Sequence, residues 1–494
     1  MNSSDQRTRS VWMAELPKSA PELTHDLKVD VAIAGAGIAG VTTAYLLAKA
    51  GITVALIDMG PPGGGMTSRS SAHITAIADD HWATIARRRG DNAARLAAGE
   101  QRQAIDRIEA IQSAEGIACD FARVDGFLVL GKGGTEALLK RERTAAHKAG
   151  FLDVELDRDR LQEFFTGPAL RFPRQARFHP LKYLKGLIAC IERLGGIIVT
   201  GRVTSMTGGR AAHLEVEGGH VIKARALVAA TNFPLNDKHL IKKQSVFRSY
   251  VIGGHIPRGA APDALIFDTE VPYHYARIQP DGARDILLLG GEDHKTGKAA
   301  DMEARFSRLE KWGRKHFPAL GPVTWRWSGQ VVQSADSLPF LGHLPGKDKN
   351  VFVIAGDSGQ GIINSTIGAS MILDALQKRS NPCTSVFNPG RRAKEPERKL
   401  EHAPAKRPKH VTRIADIPPG SGAVIVRGGE KIAVYRMKDN ALIERCAKCP
   451  HMGLSGCLEP GGRMLGLSVS RIAICAGRNA AARPRNVRSK PGAS

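Results

Sequence analysis

The sequence predicts an α/β protein: a doubly wound parallel-sheet domain interleaved with an antiparallel-sheet domain, followed by a small all-β C-terminal unit. Three observations carry that prediction. Residues 29–58, VDVAIAGAGIAGVTTAYLLAKAGITVALID, read as strand, glycine turn, helix and a second strand ending in an acid. Residues 351–376 repeat the order of strand, glycine-rich turn and helix. Between them, residues 248–291 alternate apolar and polar positions with the period of two that marks antiparallel strands.

In the first unit, residues 31–34 form an apolar strand that breaks into Gly35-x-Gly37-x-x-Gly40, and residues 41–50 carry apolar side chains at helical spacing. Gly35 permits the tight turn, Gly37 lets backbone approach a pyrophosphate, and Gly40 lets helix and strand pack closely. The helix N-terminus then presents unpaired N–H groups to phosphates. A strand over 52–57 ends in Asp58, placed to accept a hydrogen bond from a ribose hydroxyl. A glycine triplet alone also occurs in structural turns; with this strand, helix and acid around it, it reads as a Rossmann-like dinucleotide site, open at this point to NAD or FAD.

At 494 residues the chain has room for two or three domains. No apolar run approaches bilayer length, and the N-terminus MNSSDQRTRS lacks the apolar segment of a signal peptide, so a cytoplasmic protein without a membrane span is expected. Four of seven cysteines crowd after residue 445, which points to a metal or cluster site rather than a disulfide framework. The net charge of +23 could mark a nucleic-acid surface. Residues 391–409 hold eight basic and three acidic residues and residues 453–494 seven and one, so nearly half the excess lies outside the presumed catalytic body. A solvated surface and a linker account for the charge better than a binding groove, and nucleic acid is not expected as a partner.

In chain order, residues 1–27 read as an irregular arm punctuated by Pro17 and Pro21. The loop PPGGGMTSRSSAHITAIADD, 61–80, can bring backbone and hydroxyl groups, Ser71 among them, against a cofactor. His73 within it is either a polar loop residue that finds a hydrogen bond or a contact of a flavin, even a covalent tether. Residues 82–116 read as helix with a break at Gly90-Asp91, 124–130 as strand, 131–150 as containing a helix, 184–194 as helix and 197–199 as strand. The apolar run ALVAATN, 226–232, reads as a further parallel strand whose carboxyl end faces a nucleotide, or as a buried strand ending in Thr-Asn by chance. PYHYARI puts Tyr273, Tyr275 and Arg277 on one face, either lining a pocket in which Arg277 pairs a carboxylate or stacking outside a sheet. GGEDHKTG, 290–297, reads as a polar turn before an amphipathic helix over 301–317. The turn Gly356-Asp-Ser-Gly359-Gln-Gly361 heads a helix through residue 376, and its N-terminus can stabilise negative charge on a reduced flavin.

GAGIAG with Asp58, SSAHIT, ALVAATN, PYHYARI, GGEDHKTG, WRWSGQ with ADSLPFLG, and the closing glycine loop together resemble bacterial FAD-dependent oxidoreductases of the D-amino-acid oxidase and glycine oxidase type, in the subgroup with a C-terminal Rieske domain. The resemblance covers about residues 11–452. It implies FAD in the doubly wound domain, with Gly35, Gly37 and Gly40 on the pyrophosphate and Asp58 on the adenosine ribose, where relatives usually have Glu. It further implies backbone contacts from Val203 near the adenine, Ala230 and Thr231 bordering the nucleotide, and Gly356, Gly359, Gly361 and Ile362 at the isoalloxazine. The implied reaction is oxidation of an amine or amino acid: a neutral amine presents its α C–H to the flavin, hydride leaves, and the imine hydrolyses without a side-chain base. Tyr273, Tyr275, Arg277 and Trp327 are the expected substrate pocket, hinting at a carboxylate and an aromatic wall.

The implied domains are an arm over 1–27, the oxidoreductase over 28–390, a basic linker over 391–410 and a partial Rieske-like domain over 411–453. CAKCPHMG supplies Cys449 and His451, half of the ligand set of a Rieske [2Fe-2S] cluster, and no histidine follows. Reread one base later with synonymous codons chosen freely, LGLSVSRIAIC from Leu465 becomes WDCPCHGSRFA, and residues 454–459 become C-x-V-x-W-N. The tail over 454–494 therefore reads as out-of-frame sequence following one extra base near the codon for Gly453; a naturally diverged, cluster-free tail is the alternative. A zinc site on Cys446, Cys449, His451 and Cys457 is a further reading, although its ligands stand closer together than in paired zinc knuckles.

In intact relatives a Rieske cluster would carry the electrons away singly, which favours a dehydrogenase over an oxidase; the electron acceptor itself is not legible. The competing functional classes are a basic flavoprotein acting on nucleic acid, such as a modified tRNA base, and a flavin-binding protein without turnover.

Overall fold

Strand Leu27–Ala34 is apolar on both faces because it lies between two layers. Val31 and Ile33 point into the core beneath the helices, whereas Ala32 and Ala34 point into a second core under a β-ribbon. The computed structural model describes residues 9–233, 238–296, 301–346 and 348–393, then 413–419, 421–427, 429–437, 440–446 and strands Cys457–Leu458, Met464–Gly466 and Ile472–Ala473.

The first sheet runs in the order Phe340–His343, Val351–Ala355, Val221–Asn232, Leu27–Ala34, Val54–Asp58, Ile197–Thr200, parallel except for its first strand. From Leu27–Ala34 the chain builds outward in both directions, so the turn after this strand falls where the order reverses, the usual ligand crevice of such sheets. Helices Ile38–Lys49, Pro180–Arg193 and Gly361–Leu376 cover one face. The ribbon Val203–Thr207 with His213–Val216 covers the other.

The second sheet has nine strands in the path Val323–Ser334, Gln244–Pro257, Arg284–Lys295, His274–Asp281, Ala264–Asp268, Ala122–Val129, Ala169–Arg177 and His73–Ile74, with Glu155–Asp157 beside Ala169–Arg177. Its one parallel pairing joins Ala264–Asp268 to Ala122–Val129. Helix Met302–His316 packs on its outer face over Tyr250, Ile252 and Leu289. Because its strands come from both sides of Val221–Asn232 in sequence, the two domains are interleaved as expected. Farther along, Ser421–Arg427, Glu430–Arg436 and Leu442–Cys446 form an antiparallel sheet with a small core of Ile417, Ile425 and Val434.

Three expectations need correcting. The arm is not irregular throughout: Val11–Glu15 forms a helical turn that buries Trp12 completely, its Nε1 donating to Ser70 O at 2.7 Å. GGEDHKTG is not a polar turn, because strand Arg284–Lys295 runs through most of it. Its polar groups are tolerated inside because partners await them, Glu292 meeting His274 and Arg308, and the His294 ring stacking on Tyr250. Arg391 does not begin a solvated linker: it is buried, pairs Asp336 at 2.7 Å and donates to Pro339 O and Phe387 O.

Candidate functional site

The first glycine turn is bare where a cofactor backbone must approach. Gly35 has φ +105°, and a Cβ on it would stand 2.5 Å from Ala230 O. A Cβ on Gly40 would stand 1.8 Å from Gly35 O, so any side chain there forces helix and turn apart. Gly37, the helix N-cap, has ordinary φ and brings no side chain over the turn. The Thr67 hydroxyl, from the loop over 61–72, accepts the Ile38 N–H at 2.9 Å, and Gly63 N donates to Ala36 O at 2.8 Å. The loop is thereby clamped against the turn.

Asp58 closes the same edge. Its Oδ2 accepts from Ala36 N at 2.8 Å and its Oδ1 from Gly60 N at 3.2 Å. The carboxylate thus organises the glycine turn from the end of the neighbouring strand. Gly201 N donates to Asp58 O, which leads the chain from Asp58 to Val203 at the start of the ribbon. Ala230 and Thr231 end Val221–Asn232 directly against Gly35. These residues fit a dinucleotide: bare backbone at a helix N-terminus, an acid beside it, and the ends of neighbouring parallel strands around both.

The second turn follows Val351–Ala355. Gly356 and Gly359 take φ +67° and +89°, Gly361 opens the helix and Ile362 is buried in its first turn. A Cβ on Gly359 would stand 1.9 Å from Asp79 Oδ2, so Asp79 occupies the space glycine leaves. Gln360 Nε2 donates to Thr75 O and Ile77 O, tying the helix start to the loop after His73. Asp357 accepts from Gly359 N, and burial pushes its carboxyl up to about 6.

A small cleft of about 30 Å³ lies between this turn and the antiparallel sheet. Ser358 borders it on the turn side; Phe247, Tyr273, Asp293 and Gln333 border it on the sheet side, with Asp79 and Glu270 between. Of the four expected pocket residues, Tyr273 lines this cleft. Tyr275 lies behind it, its hydroxyl 3.3 Å from Ser249 Oγ and its ring edge-on to His73.

Arg277 and Trp327 turn away from the cleft. The Arg277 guanidinium is fully buried, donates to Ala72 O at 2.6 Å, Ile278 O at 3.1 Å and Phe178 O at 3.3 Å, bonds Gln279, and lies over the Trp12 ring. Burial and the charge of Arg177 pull its pKa down to about 9. It is a structural cation inside the protein, not a free receptor for a carboxylate. Trp327 is likewise fully buried, its Nε1 donating to Arg69 O at 3.0 Å, and forms no open aromatic wall.

His73 finds hydrogen bonds within the protein: Nδ1 lies 2.9 Å from Ser71 Oγ and Nε2 3.4 Å from Ala276 O. Burial, then the charge of Arg277, pulls its pKa down to about 3, so the ring is neutral at physiological pH. Cys449 and His451 lie outside the described residues, as does the tail beyond the three short strands. Cys119, Cys190 and Cys383 are buried free thiols. The lining carboxylates and the Thr67 clamp were not legible in the sequence, because acids from separate segments and a threonine 29 positions from the N–H it accepts carry no local signal.

The family model described as FAD dependent oxidoreductase, DAO, matches residues 30–375. A Bacillus subtilis (strain 168) protein, YhfW, whose name places it among Rieske 2Fe-2S iron-sulfur proteins, is 28% identical over 452 residues, covering 89% of this chain and 88% of its own. Gamma-glutamylputrescine oxidoreductase of Escherichia coli (strain K12) is 24% identical, covering 75% and 89%. Among solved structures, glycine oxidase from Geobacillus kaustophilus is 18% identical with a TM-score of 0.62, covering 74% of this chain and 99% of that one. L-amino acid deaminase from Proteus vulgaris is 16% identical with a TM-score of 0.63, covering 78% and 100%. At these identities the structural likeness is one of fold. No described helix is long and apolar enough to cross a membrane.

Proposed function

We infer the chemistry from one premise: the chain belongs to the FAD dependent oxidoreductase family, whose model matches its residues 30–375. On that premise the protein oxidises an amine or an amino acid, the substrate classes named in relatives such as gamma-glutamylputrescine oxidoreductase and glycine oxidase. The observation that carries this reading is the pair of glycine turns on one parallel sheet, with a cleft between the second turn and the antiparallel sheet.

Gly35, Gly37, Gly40 and Asp58 would hold the dinucleotide end of FAD, and Gly356, Gly359, Gly361 and Ile362 its ring end. FAD, when bound, supplies the two-electron acceptor for the hydride that leaves the α-carbon. The chain's own residues bind and orient. Phe247 and Tyr273 wall the cleft, Ser358 borders it from the turn, and His73 and Tyr275, both neutral, back the sheet without supplying a base. On this reading the substrate reacts as the free amine. The C–H bond breaks with its electron pair, the nitrogen lone pair forms C=N, and an N–H proton leaves to water. Anaerobic bleaching of the flavin absorption by a panel of amines and amino acids tests this; a flavin that none of them reduces ends the reading.

For the C-terminal part we propose that Cys449 and His451 are half of a cluster site whose second half is displaced in frame. The written sequence offers two of the four ligands, so it does not fit a [2Fe-2S] group, and no step is assigned to one. The similarity to YhfW along 89% of the chain favours a Rieske-type ancestry for this part. Sequencing the gene decides: a nucleotide sequence unable to encode CPCHGSRF in the neighbouring frame discards the proposal.

A further inference from the structure

A buried side-chain amide with nothing to bond stands beside the second glycine turn. Gln244 opens strand Gln244–Pro257 and pairs Ser334 across the sheet. That end of the strand pair is stitched to the turn, because Ser334 N donates to Ser358 Oγ at 3.1 Å and Ser358 N donates to Val332 O at 3.0 Å. The stitching brings the Gln244 amide against Gly356, its Nε2 lying 3.3 Å from the place a Cβ on that glycine would take. Both amide atoms, Nε2 and Oε1, are buried, and neither has a hydrogen-bond partner among the described residues. Interchanging oxygen and nitrogen changes nothing, since both are orphaned. The surroundings explain the isolation: the Phe340 ring, also against Gly356, offers no polar atom, and the neighbouring Lys243 ammonium donates to Pro389 O and Arg391 O.

A buried polar group left unmet pays its full desolvation penalty, and few persist in folded proteins without a partner. We propose, resting on the assignment above of the second turn to the ring end of FAD, that Gln244 reads the cofactor: its amide pairs with the imide edge of the flavin ring. That edge presents carbonyl, N–H and carbonyl in one plane. A primary amide presents one acceptor and two donors in one plane, so Gln244 Oε1 accepts the imide N–H while Nε2 donates to the carbonyl oxygen beside it. Two parallel hydrogen bonds then satisfy both orphaned atoms at once. A carboxylate in this position would have no proton to donate, and a hydroxyl would have one polar atom where two are needed. Glycine at 356 keeps the amide's place against the turn open, since a Cβ there would also stand 2.9 Å from the Phe340 ring.

Titration of the flavin-free full chain with FAD and with 3-methyl-FAD, whose imide N–H is replaced by N–CH3, tests this, with binding read from the change in flavin fluorescence. The wild type is expected to hold FAD at least about tenfold more tightly than 3-methyl-FAD, the effect of a lost hydrogen bond and an unmet acceptor. Gln244→Leu should weaken FAD about ten- to hundredfold and should bind the two flavins equally. The same variant separates cofactor reading from a structural role. Because the amide is unmet until flavin binds, Gln244→Leu should leave the flavin-free protein at least as stable in denaturant as the wild type. Loss of that stability with FAD affinity unchanged overturns the proposal. Equal affinity of the wild type for the two flavins, as a water-filled contact would give, overturns it too and leaves the family reading standing. A wild type that binds neither flavin overturns both.

Discussion

Tyr275 lies across Gly290: a Cβ on that glycine would stand 2.0 Å from the phenol carbon that bears the hydroxyl. The first glycine of GGEDHKTG is therefore there to admit the tyrosine of PYHYARI from the paired strand, His274–Asp281. Gly290→Ala is expected to push the Tyr275 ring out of place and destabilise the protein by about 1–3 kcal/mol, as overpacking does. Denaturant unfolding measures the loss, and a Tyr275→Ala/Gly290→Ala double variant should recover part of it; additive losses would sink the steric account.

Asp58 holds the glycine turn through Ala36 N and Gly60 N. Asp58→Ala should lower FAD affinity about ten- to hundredfold, since it removes charge-assisted hydrogen bonds from the turn and an acceptor for the ribose. Gly40→Ala should abolish binding, because its Cβ cannot coexist with Gly35 O. Flavin-to-protein ratio after gel filtration is the readout, and a fully loaded Gly40→Ala protein contradicts the cradle.

Both ring nitrogens of His73 face protein atoms. Flavin should consequently be released into the supernatant when the protein is precipitated with acid. Yellow colour that stays with the pellet would instead establish a covalent tether.

His274 is the clearest pH-sensitive element. Burial opposes its protonation, but hydrogen bonds to Asp268 and Glu292 outweigh burial and raise its pKa to about 9. A folded pKa above the unfolded value of about 6.5 means stability that is fully present below pH 6.5 and lost as pH rises through 9. The loss should be on the order of 2–3 kcal/mol. Thermal unfolding between pH 6 and 9 measures it, and His274→Gln should flatten that slope.

Arg391 is anchored to the oxidoreductase body. Arg391→Ala leaves buried Asp336 without its bidentate partner and should cost about 3–5 kcal/mol. A chain ending at 393 should keep FAD and stability, whereas one ending at 390 should lose stability by a similar amount. Equal melting temperatures for the two truncations would show that the anchor is inert.

The extent to which the fold was legible follows the range of the interactions involved. Residues 29–58 and 351–376 carry their strands, turns and helices in local order, because strand and helix periodicity and the φ of a tight turn are properties of neighbouring residues. GGEDHKTG was misread for the complementary reason. A polar string looks like a turn until Tyr250, His274 and Arg308 are brought against it from elsewhere in the chain. The same holds for Trp12, whose burial needs Ser70 and Arg277.

By itself, then, the sequence determined the two glycine turns, the acid after the second strand and the antiparallel middle, and through them a dinucleotide site, which the family resemblance narrowed to FAD. Only the tertiary structure decided what faces the cleft. Period two put Tyr273, Tyr275 and Arg277 on one face but could not say what fills the space beyond it. Arg277 was withdrawn into a shell of carbonyls, while Asp79, Glu270 and Asp293, from three distant segments, came to the cleft. Side-chain direction along a strand is a local property; the neighbour that a side chain meets is set by the packing of segments hundreds of residues apart.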